Sequence, residues 1–488
     1  MSKKIQITIK ELGYYKIEIS GNSDVLDLIF NFMKVEEKIK FLKKSKIKNS
    51  KLKSLLYTTK VYSLIDFDRY SSKIISYRGY SFYILKFLWE IKKNKCNDLE
   101  ITFEVDLKSN FNLLDKWKKI LTRPRQLEFA EEILKLNSGI AQLPTGFGKT
   151  EIFLAIIESY LVKFKTGNIL ILVPKNSIKE GILDRLKKYS LEDEERIKVI
   201  NPVPFFKLKD IDSYKTFLLN CEMVVIDEVH HAKASSYYKI YDLMPRVRYS
   251  YGFSATVSEQ MNLTNSETFE DWEVDTKKCV ALTGPCTVYQ TGKDLKRTIH
   301  YMKVTGEMGK SGKDDEFVQR VTNQCENKKF KEVLTTAIKK YAFTGNHRIF
   351  FIPVPLIDAG RALHDHLESK GVSSIHWTGR DGMTTSKEVL ESFEDLKKAL
   401  TSKRYNVLIA TSMSNEGVDL PSLSGVILAF GRDYKLSIQT SGRATRGDTP
   451  PLILNIFNTQ DNMLKSQAYN REKSLKENYN FEEKIWNI

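Results

Sequence analysis

From about Leu121 onward, short apolar runs alternate with segments of helix length, and this alternation constrains the fold more than any other feature of the chain. "GIAQLP", "NILILVP", "MVVID" and "YGFSA" are each five to seven residues long. Separated by amphipathic stretches, such runs predict βαβ units and a parallel sheet. A polar stretch, Ser258–Asp275, interrupts the pattern. It resumes with "HRIFFIPV", "SIHWTG", "YNVLIAT" and "GVILAF". Two α/β domains joined by an irregular segment are therefore expected.

The first quarter of the chain is built differently. Residues 4–20 alternate apolar and polar around Gly13, the pattern of a hairpin. A helical pattern follows from near Ser23 into the basic stretch "KFLKKSKIKNSKLK". "KVYSLIDFD" reads as strand, "KIISYRGYSFYILKFLWEIKK" as a strand turning into an amphipathic helix, and "LEITFEVDL" alternates again. Together they predict a compact α+β module of about 110 residues, an ordinary domain size. Tyr77, Tyr80, Phe82, Tyr83, Phe87 and Trp89 are expected in its core rather than as base-stacking platforms.

Charge is concentrated in the same region. The chain carries 77 Lys+Arg against 61 Asp+Glu, a net +16. Residues 1–118 hold 24 basic and 14 acidic residues, an excess of 10. Such a field favours a polyanion, either nucleic acid or an anionic membrane, and it also serves plain solubility. The five cysteines, Cys96, Cys221, Cys279, Cys286 and Cys325, show no C-x-x-C spacing. A disulfide framework or zinc site is not expected, and a reduced, cytoplasmic setting fits. The start "MSKKIQITIK" lacks the apolar region of a signal peptide, and no apolar run is long enough to span a bilayer. No membrane partner is expected.

Chemistry enters at "LPTGFGKT", Leu143–Thr150, set between the strand-like "SGIAQLP" and the helix-like "KTEIFLAIIESYL". A loop joining strand to helix aims backbone N–H groups and the positive helix end at a phosphate. Gly146 and Gly148 permit close backbone approach, with Pro144 and Thr145 shaping the turn. Lys149 can meet the β- and γ-phosphates of ATP, and the Thr150 hydroxyl can reach Mg²⁺. The usual first glycine of the G-x-x-x-x-G-K-[ST] pattern is replaced by Leu143. "MVVIDEVHH", Met223–His231, then ends an apolar strand in two acids. Asp227 can hold Mg²⁺ through water, while Glu228 can orient and deprotonate an attacking water.

"TGFGKT", "DEVH" and "SAT" (Ser254–Thr256) in this order resemble motifs I, II and III of the superfamily 2 helicases, where leucine before the proline-threonine pair is ordinary. The resemblance spans about residues 121–450. "TRPRQ" (Thr122–Gln126) resembles the adenine-reading segment, with Gln126 on the base edge and Arg123 beside it. "LVPKNSI" (Leu172–Ile178) resembles motif Ia, implying contacts from Pro174 and Lys175 to the nucleic-acid backbone. "ATSMSNEGVDLP" (Ala410–Pro421) resembles motif V, implying strand contacts at Thr411 and Ser412, close approach at Gly417 and a ribose contact at Asp419. "QTSGRATR" (Gln439–Arg446) resembles motif VI, with Arg443 and Arg446 as arginine fingers and Gln439 near the phosphate or attacking water. Ser254 and Thr256 are the implied coupling residues.

The resemblance implies two tandem RecA-like parallel-sheet domains, at 119–272 and 273–460, behind the basic α+β module at 1–118. A C-terminal helical tail is expected at 461–488. A small basic N-terminal domain on a compact core, with "DEVH" rather than D-E-A-D and the passage "ALTGPCTVYQTGKDL" (Ala281–Leu295), resembles phage branched-DNA helicases of the UvsW type. That implies a monomer acting on branched, duplex or single-stranded DNA, with ATP and Mg²⁺ as cofactors. "KIKFLKKSKIKNSKLK" (Lys38–Lys53) is the candidate duplex contact, and "HWTGRDG" (His376–Gly382) a candidate contact at the fork. An RNA helicase, or a double-strand translocase that separates no strands, remains open. His364 and His366 fall on different helix faces, against a metal site, whereas His230 and His231 suit the interface between ATP and strand.

Overall fold

The computed structural model describes residues 5–13, 15–33, 35–40, 57–62, 65–205, 212–255, 272, 274–290, 299–308, 317–342, 348–377, 383–384, 389–390, 393–402, 404–411, 423–430 and 451–487. The chain divides into two compact units, Met1–Leu143 with Gly148–Tyr289, and Pro144–Phe147 with Gln290–Ile488. No helix among the described residues is long and apolar enough to cross a membrane.

The first unit begins with β1 (Ile5–Leu12), β2 (Lys16–Gly21), β3 (Val35–Lys40), β4 (Tyr57–Tyr62), β5 (Ile65–Asp68), β6 (Lys73–Tyr77) and β7 (Leu99–Glu104). A five-stranded mixed sheet runs β5-β6-β2-β1-β7, and β1–β2 is the hairpin expected around Gly13. Helices Ser23–Met33 and Ser81–Asn94 bury Leu26, Ile29, Ile84 and Leu88 in one core with Ile7, Ile9, Ile17 and Ile19. The helix expected to run on from Ser23 into the basic stretch instead stops at Met33. Beyond it β3 ("VEEKIK") pairs antiparallel with β4 from Val35↔Tyr62 to Lys40↔Tyr57. Residues 41–56, most of the candidate duplex contact, lie outside the described residues. Of the six aromatics expected inside, Tyr80 and Tyr83 are buried and Tyr77 and Phe87 half-buried, but Phe82 and Trp89 are exposed.

The second sheet of this unit is wholly parallel, with β8 (Ser138–Gln142), β9 (Asn168–Leu172), β10 (Ile197–Ile200), β11 (Cys221–Asp227), β12 (Tyr249–Ser254) and β13 (Cys286–Tyr289). Its order is β10-β9-β11-β12-β8-β13. The four apolar runs are its central strands. β13 joins the free edge of β8, so the chain leaves this sheet at Tyr289 and not at 272. The basic module and this sheet share a single hydrophobic core. The buried Arg78 guanidinium donates to Arg248 O at 3.1 Å and pairs with Glu11 at 3.2 Å. Tyr80 Oη donates to Lys277 O at 2.9 Å. Position 79 has to be glycine, because a Cβ there would lie 2.0 Å from Val280 O.

The second unit is built on β14 (Ile299–Gly306), β15 (Ile349–Val354), β16 (Ser374–Trp377), β17 (Met383–Thr384), β18 (Val389–Leu390), β19 (Val407–Thr411), β20 (Leu423–Leu428), β21 (Leu452–Asn458) and β22 (Phe481–Asn487). They form one sheet, β18-β17-β16-β19-β15-β20-β21-β14-β22, parallel apart from the small β16-β17-β18 meander. The C-terminal segment is more than the helical tail expected from its pattern. Helix Asn462–Asn478 is capped by Asp461, which accepts from the Met463 and Leu464 N–H groups at 3.0 Å each. It is followed by β22, which adds to the sheet edge parallel to β14 from Ile299↔Phe481 to Thr305↔Asn487.

Candidate nucleotide site

The strand order of the first unit brings three sequence motifs together. In an open parallel sheet, ligands bind beyond the carboxyl ends of the strands. β12 lies between β8 and β11, with Ser254 beside Gln142 and Phe253 beside Asp227. The candidate phosphate loop leaves β8, the two acids end β11, and Ser254 ends β12. Leu143 N–H donates to Ser254 O at 2.9 Å, tying the first loop residue to the neighbouring strand end.

Gly148 has φ +92°, and a Cβ on it would come within 2.3 Å of Gln126 Nε2. The backbone angle favours glycine there, and a side chain would displace the Gln126 amide. Gln126 is buried; its Nε2 donates to Gly148 O at 3.2 Å and its Oε1 accepts from Arg123 N–H at 3.3 Å. The adenine-reading candidates are thereby fastened to the phosphate loop. Gly146 has φ +81°, and Thr145 is half-buried. Lys149 and Thr150 open helix Lys149–Lys163, where the dipole is positive. Lys149 Nζ donates to Leu143 O at 3.2 Å.

The acids are buried at the strand end. Asp227 accepts from the Glu228 N–H at 3.0 Å and has no ion pair among the described residues. Burial and the adjacent Glu228 charge push its carboxyl upward, with Lys149 and Arg185 acting the other way. A buried carboxylate so poorly compensated suits a divalent cation, and the Thr150 hydroxyl is the matching neutral donor. Glu228 itself sits in the left-handed region at φ +51°. A non-glycine residue there carries strain of the kind found at reacting centres.

Ser254 Oγ donates to Glu228 Oε2 at 2.9 Å and lies 2.9 Å from His230 Nδ1. A serine has one proton to give, so His230 must donate from Nδ1 to Ser254. Motif II is thus joined to motif III through a serine and a histidine. The sequence order singled out Ser254, while the link through His230 requires the turn Val229–His231, which folds the ring back over the acid. Arg185 was missed: its Nε donates to Glu151 Oε1 at 3.2 Å, holding a second cation near Asp227. Nothing in the local pattern of "LDRLKK" marks it.

Pro174 follows β9, and Lys175 precedes helix Asn176–Lys188; both are half-buried. Thr411 ends β19 of the second unit and is buried. Thr256, Ser412, Gly417, Asp419, Gln439, Arg443 and Arg446 lie outside the described residues, as do residues 378–382 of the fork candidate. His364 Nδ1 is 2.7 Å from Ser374 Oγ and His366 Nε2 is 3.1 Å from Thr335 Oγ1, so the two face different partners. Among the described residues no group of three or more His, Cys, Asp or Glu is placed to hold a metal.

Comparison with known proteins matches residues 119–259 to the family model "Type III restriction enzyme, res subunit" and residues 343–448 to "Helicase conserved C-terminal domain". A protein of Sulfolobus islandicus filamentous virus that carries the name helicase 22 is 22% identical over 83% of this chain and 75% of its own. Among solved structures, Mss116p bound to ssRNA and AMP-PNP is similar over 75% of this chain and 72% of its own, at 14% identity and a TM-score of 0.52. The T4 UvsW structure aligns over 99% of both chains at 15% identity, with a TM-score of 0.43.

Proposed function

Because this chain belongs to the superfamily 2 helicases, we propose that it is an ATP-driven DNA motor that remodels branched DNA, such as forks and Holliday-type junctions, in replication, recombination or repair. The observation that carries the motor is the meeting of Lys149, Asp227, Glu228 and Ser254 at one sheet edge. The loop Thr145–Gly148 receives the phosphates on backbone N–H groups, and Lys149 neutralises the β- and γ-oxygens. Glu228 takes a proton from the attacking water as the γ-phosphoryl group leaves its bridging oxygen. Thr150 and Asp227 would hold Mg²⁺, which when bound would supply charge neutralisation for the leaving phosphates. Arg443 and Arg446 act as fingers, with Gln439, Gly417 and Asp419 completing the nucleotide contacts.

Ser254 senses whether Glu228 is engaged and, with Thr256, passes that state toward the strand. Pro174 and Lys175 in one domain and Thr411 and Ser412 in the other grip phosphates without reading sequence. The basic module, residues 1–118, grips the duplex at the branch. It shares a core with the nucleotide-binding sheet, so a duplex held there moves with that sheet. The chain works as a monomer in the cytoplasm.

The test is ATPase stimulation by single strand, linear duplex, fork, four-way junction and RNA at several salt concentrations. Stronger stimulation by fork and four-way junction than by linear duplex is expected. Equal stimulation by branched and linear DNA removes the branch-remodelling reading. Stimulation by RNA alone makes the chain an RNA motor.

A further inference from the structure

Helix Ser81–Asn94 of the basic module has two contrasting faces. Tyr83, Ile84, Leu88 and Ile91 are buried beneath it. Its Phe87 ring stacks on Phe32 with centroids 4.1 Å apart and planes 11° from parallel, and Tyr83 meets Trp272 edge-on at 5.1 Å. The helix is therefore fixed to the core of the first unit. Its outer face shows Phe82, Lys86, Trp89 and Lys93, at spacings of four, three and four, so that aromatic and cationic side chains alternate along one stripe. Trp89 is 57% exposed and Phe82 37%. Lys92 Nζ stands 5.5 Å from the centroid of the Trp89 ring.

The stripe borders an open surface depression of about 540 Å³ lined by Lys86, Trp89, Glu90, Lys92, Lys93 and Asn97. Its charged lining is three lysines and one glutamate. None of the lysines has a carboxylate partner among the described residues, although surface lysines elsewhere in the unit, such as Lys116, Lys118 and Lys135, do. An indole kept in water on a rigid helix, bordered by lysines with no carboxylate partner among the described residues, matches an occupant with flat apolar rings and regularly spaced negative charge. Duplex base pairs hide their faces, so stacking on Trp89 requires an unpaired base.

We propose that this stripe binds single-stranded nucleic acid, with an unpaired base stacked on Trp89 and the flanking phosphates on Lys86 and Lys93. The inference rests on the motor reading and adds a strand-capture surface on the body that carries the nucleotide site. A strand held there cannot slip relative to the nucleotide-binding sheet, so it provides a fixed point at a fork.

The experiment uses the full chain and labelled oligonucleotides: single-stranded DNA, single-stranded RNA, a fork with a single-stranded arm and a blunt duplex. Anisotropy titrations without nucleotide compare wild type, Trp89→Ala, Trp89→Phe and the pair Lys86→Ala with Lys93→Ala across a salt series. Trp89→Ala is expected to weaken binding to the preferred single strand and to the fork about tenfold. Trp89→Phe restores most of that loss. The blunt duplex is unaffected, and ATPase without nucleic acid stays at the wild-type level. The double lysine variant lowers the slope of log affinity against log salt by about 1.4.

The function reading is tested by which substrate wild type prefers, and the stripe by the ratio of variant to wild type on that substrate. A ratio near one for Trp89→Ala, with no change of slope in the lysine pair, overturns the stripe and leaves the motor standing. Loss of self-association in light scattering, with unchanged strand binding, would assign the face to a second copy and also overturn it. A wild type that binds no strand at all overturns both readings.

Discussion

Each unit buries charge, and the two do so to opposite ends. In the second unit Arg471 is fully buried on helix Asn462–Asn478. It donates to Asn455 Oδ1 at 3.0 Å, Leu428 O at 3.3 Å and Ile456 O at 3.2 Å. Burial lowers the guanidinium to about 10, which leaves it protonated at neutral pH. Its Nε and Nη2 donors go to β20 and β21, so it locks the C-terminal helix to the sheet. In the first unit Asp227 and Glu228 are buried side by side at the end of β11, and their like charges oppose one another. Among the described residues Asp227 has a single backbone hydrogen bond to set against its burial. A buried charge whose hydrogen bonds are filled by the protein holds the fold together. One left short of them holds a place for a ligand.

This contrast can be broken by mutation, and the largest effect belongs to Arg471. Arg471→Ala leaves buried acceptors on both strands without donors, and is expected to cost about 3–5 kcal/mol in equilibrium urea unfolding. Asp227→Asn should act in the opposite sense. The amide keeps the acceptor for Glu228 N–H and removes a charge whose ionisation burial opposes. Stability at pH 8 should rise by roughly 2 kcal/mol. A folded carboxyl raised above its unfolded value is destabilising where it must ionise, and that penalty disappears as pH falls and it takes up its proton. The advantage of the Asn variant should therefore shrink between pH 8 and pH 5, while its ATPase is lost throughout.

His376 sharpens the same comparison in the second unit. Its buried Nε2 has no hydrogen-bond partner among the described residues, and burial followed by His364 holds the ring down at about 4. The unfolded chain takes up this proton first, so stability is present above the unfolded value near 6.5 and is lost as pH falls toward 4. Thermal melts of wild type should show a decline of roughly 1–2 kcal/mol across that window, flattened in His376→Asn. The smallest effect is expected at the seam between the basic module and the six-stranded parallel sheet. Tyr80→Phe removes the bond to Lys277 O and should cost about 1 kcal/mol.

Much of the fold and part of the candidate site are legible in the chain because their signals are local. A short apolar run followed by a glycine-rich loop identifies β8 and the phosphate loop from a dozen residues. The acids after "MVVI" announce themselves in the same way. What stayed hidden depends on distant partners. β22 reads as a polar tail because "FEEKIWN" exposes most of its side chains, and its strand character comes from pairing with β14 far upstream. "VEEKIK" has Val35 and Ile39 at helical spacing among charged residues, and only its partner at 57–62 makes it a strand. Arg471 looks like any surface arginine of a charged helix. Trp89 looked like core because periodicity shows which residues share a face and not which face is covered. Arg185 comes near Asp227 through tertiary packing alone.

The central claim is that the carboxyl edge of β8, β11 and β12 binds and cleaves ATP. Its most direct test is a single-turnover experiment with saturating enzyme, measuring ATP binding and phosphate release in wild type, Lys149→Ala and Glu228→Gln. Glu228→Gln is expected to bind ATP like wild type and to release phosphate at least about a hundredfold more slowly, as removal of a general base requires. Lys149→Ala should lose turnover because the phosphates are no longer neutralised. Phosphate release at the wild-type rate by Glu228→Gln would contradict the account.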